Sequence, residues 1–350
     1  MADLRIGIIG FGKMGMLHGG IVNGLEGSTL AAVAEPSDLV ARALKTLKPD
    51  VRVYSDYREM LKKEDLDAAY IATPVFQHVD MGIACVEHGV STFVEKPLST
   101  TASEARRLVD ALERRSVPNM VAWMMRYLPT FRRAKSLLES GVLGKVIQFQ
   151  VTMYVSQLFR KGKGWRYDKK KSGGGLIMGP CSHALDLVTW YFGEAAFVNA
   201  RQNNFYSGET EDFLHVIFEM KSGVTGWLDS SWSVRGHRLV ETRFDVHGTD
   251  GTLIVTDDIV KVFLEKEAAG LSRGWTIERI PELFEGVPID IGGGQYTREN
   301  IEFLRCVREG RSPENNVRAA WKVHRLIDAI YASAADRGAP KEPDAFGGER

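Results

Sequence analysis

Residues 4–15 read Leu-Arg-Ile-Gly-Ile-Ile-Gly-Phe-Gly-Lys-Met-Gly, a strand pattern that runs directly into a glycine-rich turn. The run up to Ile9 is apolar on both faces, as a buried parallel strand should be, and it breaks at Gly10. In the spacing G-x-G-x-x-G, Gly10 permits the tight turn, Gly12 lets backbone approach a pyrophosphate, and Gly15 allows close helix packing. The segment therefore predicts a dinucleotide-binding turn, to which Phe11, Lys13 and Met14 also belong. An ordinary glycine-rich turn is the alternative.

Strand-length apolar runs alternate with helical patterns from this turn to about residue 121. A helix is expected over residues 14–25, directly after the glycines. The alternation predicts βαβ units and a doubly wound parallel sheet of the Rossmann type, in which ligands bind at the carboxyl ends of the strands. The strand runs are residues 4–9, 29–34, 68–72, 90–94 and 119–122.

After Trp123 the pattern changes to alternating or β-branched runs, which indicate antiparallel strands. Lys221-Ser222-Gly223 and Thr249-Asp250-Gly251 are plausible hairpin turns between them. We therefore expect a C-terminal α+β domain with one large, mostly antiparallel open sheet. Its predicted strands are residues 146–155, 212–220, 224–234, 241–246, 253–256 and 260–265, preceded by a helix over residues 130–138.

These patterns divide the α/β chain into two domains. Residues 1–122 form the predicted Rossmann domain, and residues 123–337 form the predicted domain for substrate binding and oligomerisation. Helical patterns over residues 298–309 and 318–336 end the second domain, and the last helix could pack back on the first domain. The tail over residues 338–350, rich in glycine, proline and charge, is expected to be a loose end.

The composition points to a small-molecule partner. The 350 residues include 45 basic and 45 acidic side chains, so bulk charge favours neither nucleic acid nor an anionic membrane. No apolar run approaches the roughly 20 residues that span a bilayer. Cys85, Cys181 and Cys306 are odd in number and widely spaced, which predicts neither disulfides nor a metal site. With no signal-peptide pattern at the start, we expect a cytoplasmic protein.

Glu35 predicts which dinucleotide binds. It ends the second strand about 20 residues past the glycine turn, where a carboxylate can accept hydrogen bonds from the adenosine ribose. The same carboxylate would repel the 2′-phosphate of NADP, and Pro36-Ser37 supplies no arginine to receive it. NAD is therefore the expected cofactor and NADP the less favoured one. Two alternatives stay open: a solvated glutamate, or rescue of NADP binding by Arg42.

Two further strand ends contribute candidate cofactor contacts. Thr73 and Pro74 follow the third apolar run, and His78 comes shortly after, where it could equally cap the next helix. Glu95 and Lys96 follow the fourth run and precede a proline. Because proline disfavours the α conformation in the residue before it, Lys96 should be held extended at the carboxyl end of its strand.

A histidine in the second half is the candidate acid or base. Ser172 and three glycines lead into a helical pattern over residues 180–190, in which His183 occupies the first turn and Asp186 lies three residues on, along the same face. An unperturbed imidazole exchanges a proton near neutral pH. A buried histidine with a purely structural role is the alternative.

Taken in order, these motifs resemble the Gfo/Idh/MocA family, which includes glucose–fructose oxidoreductase and inositol 2-dehydrogenase. The resemblance runs from about Leu4 to Arg337. It rests on the glycine turn, Ala72-Thr73-Pro74 with His78, Glu95-Lys96-Pro97, Met125-Arg126-Tyr127 with Pro129, Leu143-Gly144-Lys145-Val146, and the triple glycine that leads to His183 and Asp186.

The resemblance implies NAD(P)-linked, reversible oxidation of a secondary hydroxyl on a cyclic sugar, polyol or sugar derivative, with hydride transfer to nicotinamide C4. It also implies a homodimer or homotetramer formed through the open C-terminal sheet. Lys96 corresponds to the active-site lysine and His183 to the acid/base histidine. The candidate substrate-binding residues are Lys96, Arg126, Tyr127, Trp165, Arg166, His183 and Asp186.

One position departs from the family pattern. Sugar and inositol dehydrogenases of this family usually place an aspartate four residues before the histidine, where this chain has Gly179, and a glycine two before it, where it has Cys181. Three alternatives therefore stay open: a non-enzymatic NAD or sugar sensor, an NAD-dependent glycosidase, and an aldehyde or imine reductase.

Overall fold

The computed structural model describes residues 2–348, and the chain forms two compact units. The first contains the described residues through Met124 together with Gly286–Trp321. The second contains Met125–Glu285 and the described residues from Lys322 onward. Met1, Glu349 and Arg350, which fall within the predicted first domain and tail, lie outside the described residues.

The first unit contains a parallel sheet of six strands among the described residues, in the order β3-β2-β1-β4-β5-β6. This order is that of the doubly wound dinucleotide-binding fold, and it confirms the predicted sheet. The three-residue edge strand β3 has no apolar run and was missing from the sequence prediction. The strands are β1 Leu4–Ile9, β2 Ser28–Ala34, β3 Arg52–Tyr54, β4 Ala68–Ile71, β5 Ser91–Val94 and β6 Asn119–Val121.

The second unit contains an eight-stranded sheet, again counted over the described residues, in the order β14-β13-β12-β11-β7-β10-β9-β8. Neighbouring strands are antiparallel except β7 and β10, so the predicted mostly antiparallel sheet is confirmed. Alternate residues face a buried side, as Phe149, Val151 and Met153 do in β7. The strands are β7 Val146–Tyr154, β8 Ala195–Asn203, β9 Phe213–Met220, β10 Thr225–Ser231, β11 Glu241–Gly248, β12 Gly251–Thr256, β13 Ile259–Leu264 and β14 Gly274–Arg279.

Helices connect and cover the strands. None of the helices among residues 2–348 combines the length and apolar character that crossing a bilayer requires. The helices are α1 Lys13–Gly24, α2 Asp38–Leu47, α3 Tyr57–Lys63, α4 His78–His88, α5 Ala102–Arg114, α6 Pro129–Glu139, α7 Lys169–Ser172, α8 Cys181–Phe192, α9 Ile280–Leu283, α10 Gly294–Glu309 and α11 Val317–Ala335.

The segment after α11 is fixed to the second unit, so the expectation of a loose tail is wrong for residues 338–348. Val198 and Lys341 exchange backbone hydrogen bonds of 2.9 and 3.0 Å. Asn199 Nδ2 donates to the carbonyl of Gly338 at 2.9 Å, and the buried Arg325 pairs with Asp344. The glycines and prolines of this segment therefore do not make it mobile. They lie on either side of the backbone pairing between Val198 and Lys341.

Candidate active site

The glycine turn of the first unit has the geometry that its spacing predicts. Gly10 has φ +87°, a left-handed conformation that favours glycine. A Cβ on Gly15 would lie 2.1 Å from the carbonyl oxygen of Gly10, so a side chain there would prevent α1 from packing against the turn. A Cβ on Gly12 would meet no described atom within 4 Å. Gly12 therefore leaves open space at the start of α1, where no side chain caps the helix.

Both carboxylate oxygens of Glu35 accept backbone hydrogen bonds, and one of the two donors belongs to the glycine turn. Oε2 accepts a hydrogen bond from the backbone of Phe11 at 2.8 Å, and Oε1 accepts one from the backbone of Ser37 at 2.9 Å. The carboxylate is thus fixed at the end of β2 and directed at the glycine turn. Each oxygen keeps a lone pair that can accept from a ribose hydroxyl. Lys13 and Met14 are the first two residues of α1, directly after the turn.

His78 bridges two strand ends. Its Nδ1 lies 2.9 Å from the carbonyl oxygen of Pro97, and its Nε2 lies 2.8 Å from that of Thr73. The side chain is buried, and this burial lowers the pKa of the imidazole, although the two carbonyls partly oppose the shift. His78 therefore joins the Thr73-Pro74 loop after β4 to the Lys96-Pro97 loop after β5.

Lys96 lies half-buried at the carboxyl end of β5, as predicted. Its backbone N–H donates to Oε2 of Glu95 at 3.1 Å. The other oxygen of Glu95 lies 2.9 Å from Nε2 of His18, a fully buried residue of α1. Sequence reasoning missed His18, whose only local signal is its place one helical turn after Gly15.

In the second unit, Glu211 holds the triple-glycine loop that leads to His183. Its Oε1 accepts hydrogen bonds from the backbones of Gly175 and Ile177 and from the hydroxyl of Tyr331, each at 2.9 Å. Burial raises the pKa of the Glu211 carboxyl, and the three donors oppose the shift. Neither Glu211 nor Tyr331 lies near the loop in sequence, so no local pattern could have indicated them.

A side chain at Gly179, where the family resemblance leads us to expect an aspartate, would be tightly confined. A Cβ on Gly179 would lie 3.0 Å from the carbonyl oxygen of Gly175 and 3.2 Å from Cζ3 of Trp232. Trp232 is itself buried and directly follows β10. An aromatic ring therefore occupies the space beside the α8 N-terminus, in which His183 is buried in the first turn.

Arg126 and Asp186 are paired with each other in the interior of the second unit. Arg126 Nε and Nη2 donate to the two carboxylate oxygens at 2.7 and 2.6 Å, and both residues are buried. Burial raises the pKa of Asp186, and the adjacent guanidinium partly offsets that rise. The guanidinium also lies 5.3 Å from the ring centre of Trp190. Their mutual pairing fixes the face of α8 one turn beyond His183.

The remaining aromatic and basic candidates differ in exposure. Tyr127 is buried, and the guanidinium of Arg132 lies 5.1 Å from its ring centre. Trp165 is half-buried, and the exposed Arg166 stacks on it at 4.8 Å. Trp165 and Arg166 thus present surface that a ligand can reach, whereas Tyr127 packs inside its unit.

Comparison with known proteins gives consistent results over both halves of the chain. The model of an oxidoreductase family with an NAD-binding Rossmann fold matches residues 4–123, and the model of the GFO/IDH/MocA C-terminal domain matches residues 131–254. Levoglucosan dehydrogenase from Pseudarthrobacter phenanthrenivorans is 25% identical, over 96% of this chain and 97% of its own. The D-xylose 1-dehydrogenase (NADP(+)) 2 of Haloferax volcanii is 29% identical, over 97% of this chain and 100% of its own.

Solved structures share the fold. The structure of levoglucosan dehydrogenase in complex with NADH and L-sorbose superposes with a TM-score of 0.87 at 23% identity, covering 97% of this chain and 98% of that one. At this identity the likeness establishes the arrangement of strands and helices. It extends over both compact units.

Proposed function

The chain belongs to the GFO/IDH/MocA family of NAD-dependent sugar and polyol dehydrogenases, and we propose that it oxidises a secondary hydroxyl of a cyclic sugar, polyol or sugar derivative. The observation that carries this proposal is the position of Lys96. It lies at the carboxyl end of β5, at the same edge of the sheet as the glycine turn after β1. A cation at that edge can stabilise an oxyanion that develops next to a bound dinucleotide.

The residues of the first unit fit NAD. Gly12 leaves space at a helix N-terminus without a side-chain cap, and such a terminus attracts phosphate. Glu35 offers carboxylate lone pairs at the position for the adenosine ribose. When bound, NAD supplies the hydride acceptor. The protein supplies orientation and the path of the proton.

We assign the proton steps to Lys96 and His183. His183 accepts the proton of the substrate hydroxyl, because an imidazole can gain and lose a proton near neutral pH. Lys96 donates a hydrogen bond to the same oxygen and stabilises its developing negative charge. Trp165 and Arg166 are the substrate-binding residues of this proposal, because their side chains are accessible to a ligand. Arg126 and Asp186 do not contact the substrate in this proposal. They fix α8, the helix that carries His183.

The test is a panel of sugars, inositols and sugar derivatives with NAD, followed by the absorbance of NADH. We expect at least one cyclic polyol or sugar to be oxidised, and Lys96→Ala and His183→Ala to lower kcat by two or more orders of magnitude, as for loss of an electrostatic or acid–base group. Lys63→Ala, on an exposed lysine paired with Glu59, is the matched control. Full activity of Lys96→Ala would remove that residue from the mechanism.

A carbonyl reductase is the second candidate, and Gly179 favours it. Reduction needs a general acid, which His183 can provide without a neighbouring carboxylate. Consumption of NADH with aldehydes or imines, and no NADH production from any polyol, would favour this direction. NAD binding with neither reaction would indicate a sensor, and sugar release without net NADH would indicate a glycosidase.

We also propose a homodimer or homotetramer formed through the open face of the second sheet. Ile217 and Trp227 are cross-strand neighbours on this face, and Trp275 and Ile277 extend it to the edge strand. Ile217, Trp275 and Ile277 are 50%, 56% and 43% exposed in the single chain. Light scattering after size-exclusion chromatography measures the assembly. Ile217→Lys with Ile277→Lys should yield monomers, whereas Leu47→Lys, on an exposed helix of the first unit, should not.

A further inference from the structure

His18 is a fully buried histidine that the proposed chemistry does not use. Its ring lies on the side of α1 that faces the sheet, with ring centres 4.8 Å from Phe93 and 5.6 Å from Tyr70. Both ring nitrogens nevertheless have polar partners. Nε2 lies 2.9 Å from Oε1 of Glu95, and Nδ1 lies 2.9 Å from Nδ2 of Asn300 and 3.4 Å from its Oδ1, so the amide nitrogen is the nearer partner. An apolar side chain would fill this space without placing two polar atoms in the interior.

The hydrogen bonds around Asn300 define which nitrogen of His18 carries the proton. Asn300 Nδ2 also lies 2.8 Å from the carbonyl oxygen of Tyr296, which can only accept. Rotating the amide to exchange its oxygen and nitrogen would set two oxygens against each other. The amide nitrogen must therefore face both partners, and its second hydrogen points at His18. Nδ1 of His18 is then an acceptor, and Nε2 carries the ring proton.

This tautomer directs a donor at Glu95. His18 Nε2–H donates to Oε1, while Oε2 accepts the backbone N–H of Lys96 at 3.1 Å. Both oxygens of the carboxylate are thus held, one from α1 and one from the residue that follows. These contacts form a hydrogen-bond relay from Asn300 in α10 through His18 in α1 and Glu95 to the backbone of Lys96. All four residues belong to the first unit.

We propose that His18 and Asn300 are positioning residues for Lys96. Asn300 fixes the tautomer of His18, and His18 fixes the carboxylate to which the Lys96 backbone is bound. The catalytic part of this inference rests on the function proposed for Lys96. The structural part, that one tautomer of His18 controls the order of the Lys96 backbone, does not.

The structural part is tested without turnover. The ¹⁵N shifts of His18 distinguish the two ring nitrogens, and we expect Nε2 protonated and Nδ1 unprotonated in the wild-type protein. Amide hydrogen exchange at Lys96 should accelerate at least tenfold in His18→Leu. It should stay near the wild-type rate in His18→Gln, whose amide can still donate to Glu95. Protonation on Nδ1, or equal exchange in both variants, would overturn the proposal.

The catalytic part is tested by steady-state kinetics on the same variants. We expect His18→Leu to lower kcat at least tenfold while the Kd for NAD changes less than threefold, and His18→Gln to recover most of the loss. Equal kcat in the Leu and Gln variants would overturn the positioning role. Asn300→Leu should resemble His18→Leu, and it keeps the test decisive if the latter does not fold. Absence of any wild-type turnover would instead refute the proposed function. The hydrogen-exchange data would still test whether His18 orders the Lys96 backbone.

Discussion

The Lys96 region and the His183 region each rest on a buried carboxylate, but the donors that hold the two carboxylates differ. Around Lys96, Glu95 is held by one side chain, His18, and by the backbone of the residue that follows it. A side-chain donor can be replaced by mutation while the chain keeps its path. We therefore expect substitutions in this region to change the geometry of the lysine more than the stability of the protein.

Around His183, Glu211 is held mainly by the chain itself. Two of its three donors are the backbone N–H groups of Gly175 and Ile177. If the carboxylate is lost, these buried groups stay unpaired unless the loop moves. The same region contains the buried Arg126–Asp186 pair, so a substitution there should affect stability first and catalysis as a consequence.

The largest effect is expected for Asp186→Ala, because it leaves the buried guanidinium of Arg126 without its counter-ion. Breaking a buried pair in this way costs about 3–5 kcal/mol of unfolding free energy. Urea denaturation of the purified protein measures the loss. Glu278→Ala is the matched control, since Glu278 forms an equally bidentate but partly exposed pair with Arg133, and such a pair contributes about 1 kcal/mol or less. Similar losses of unfolding free energy in the two variants would show that burial of the Arg126–Asp186 pair does not increase its contribution to stability.

A smaller but still large effect is expected for Glu211→Leu. The substitution removes the acceptor of two backbone donors and of the Tyr331 hydroxyl. One unsatisfied buried group costs about 1–3 kcal/mol, and we expect the total to stay below the loss in Asp186→Ala because a shift of the glycine loop lets some of these donors find another acceptor. We expect faster hydrogen exchange over residues 173–179 and a loss of kcat that parallels the loss of His183→Ala. Glu95→Leu should destabilise the protein less, because it removes one backbone bond rather than two. The reverse order would break the comparison between the regions.

The parts of these regions that sequence predicts are those with a local signal. An apolar run followed by glycines identifies β1 and its turn, and a run ended by Lys96-Pro97 identifies β5. The edge strands β3, β8 and β14 lack such a run or expose much of their length, and they were not predicted. The residues at the end of each run therefore predicted where the strands end, and the strand end at β5 identified Lys96 as the candidate lysine.

The supports of the site carry no local signal. His18 and Asn300 are separated by 282 positions, and Glu211 contacts a backbone 36 positions away. Such pairs form only when distant elements fold together, so one sequence cannot reveal them. The empty position at Gly179 was visible in the sequence, but the ring of Trp232 that fills the space was not.

An intermediate effect is expected for Gly179→Asp, which adds the carboxylate that the family resemblance leads us to expect at this position. Its Cβ would press on the carbonyl of Gly175 and the ring of Trp232, and forcing atoms into such a space costs about 1–3 kcal/mol. Thermal unfolding measures the cost. Trp232→Ala should relieve the ring contact, so the double variant should lose less than the sum of the two single losses. Strict additivity would show that Trp232 is not what excludes the aspartate, and the His183 region would then be less constrained than the contacts indicate.

The smallest effect is expected in the pH dependence of stability. It tests whether burial disfavours the charged form of the Glu211 carboxyl. Burial raises the pKa of Glu211 above its ordinary value of 4.5, so the folded chain binds this proton more tightly than the unfolded chain. Stability is therefore lost as the pH rises from 4.5 through the folded pKa. Glu211→Gln keeps the acceptor oxygen and cannot ionise, so its urea midpoint should fall less over that window. Glu267→Gln, on an exposed loop position of the second unit, controls for the loss of one surface carboxylate. If Glu211→Gln followed the wild-type curve, the backbone donors would fully compensate the buried charge, and the carboxylates of the two regions would be equivalent in this respect.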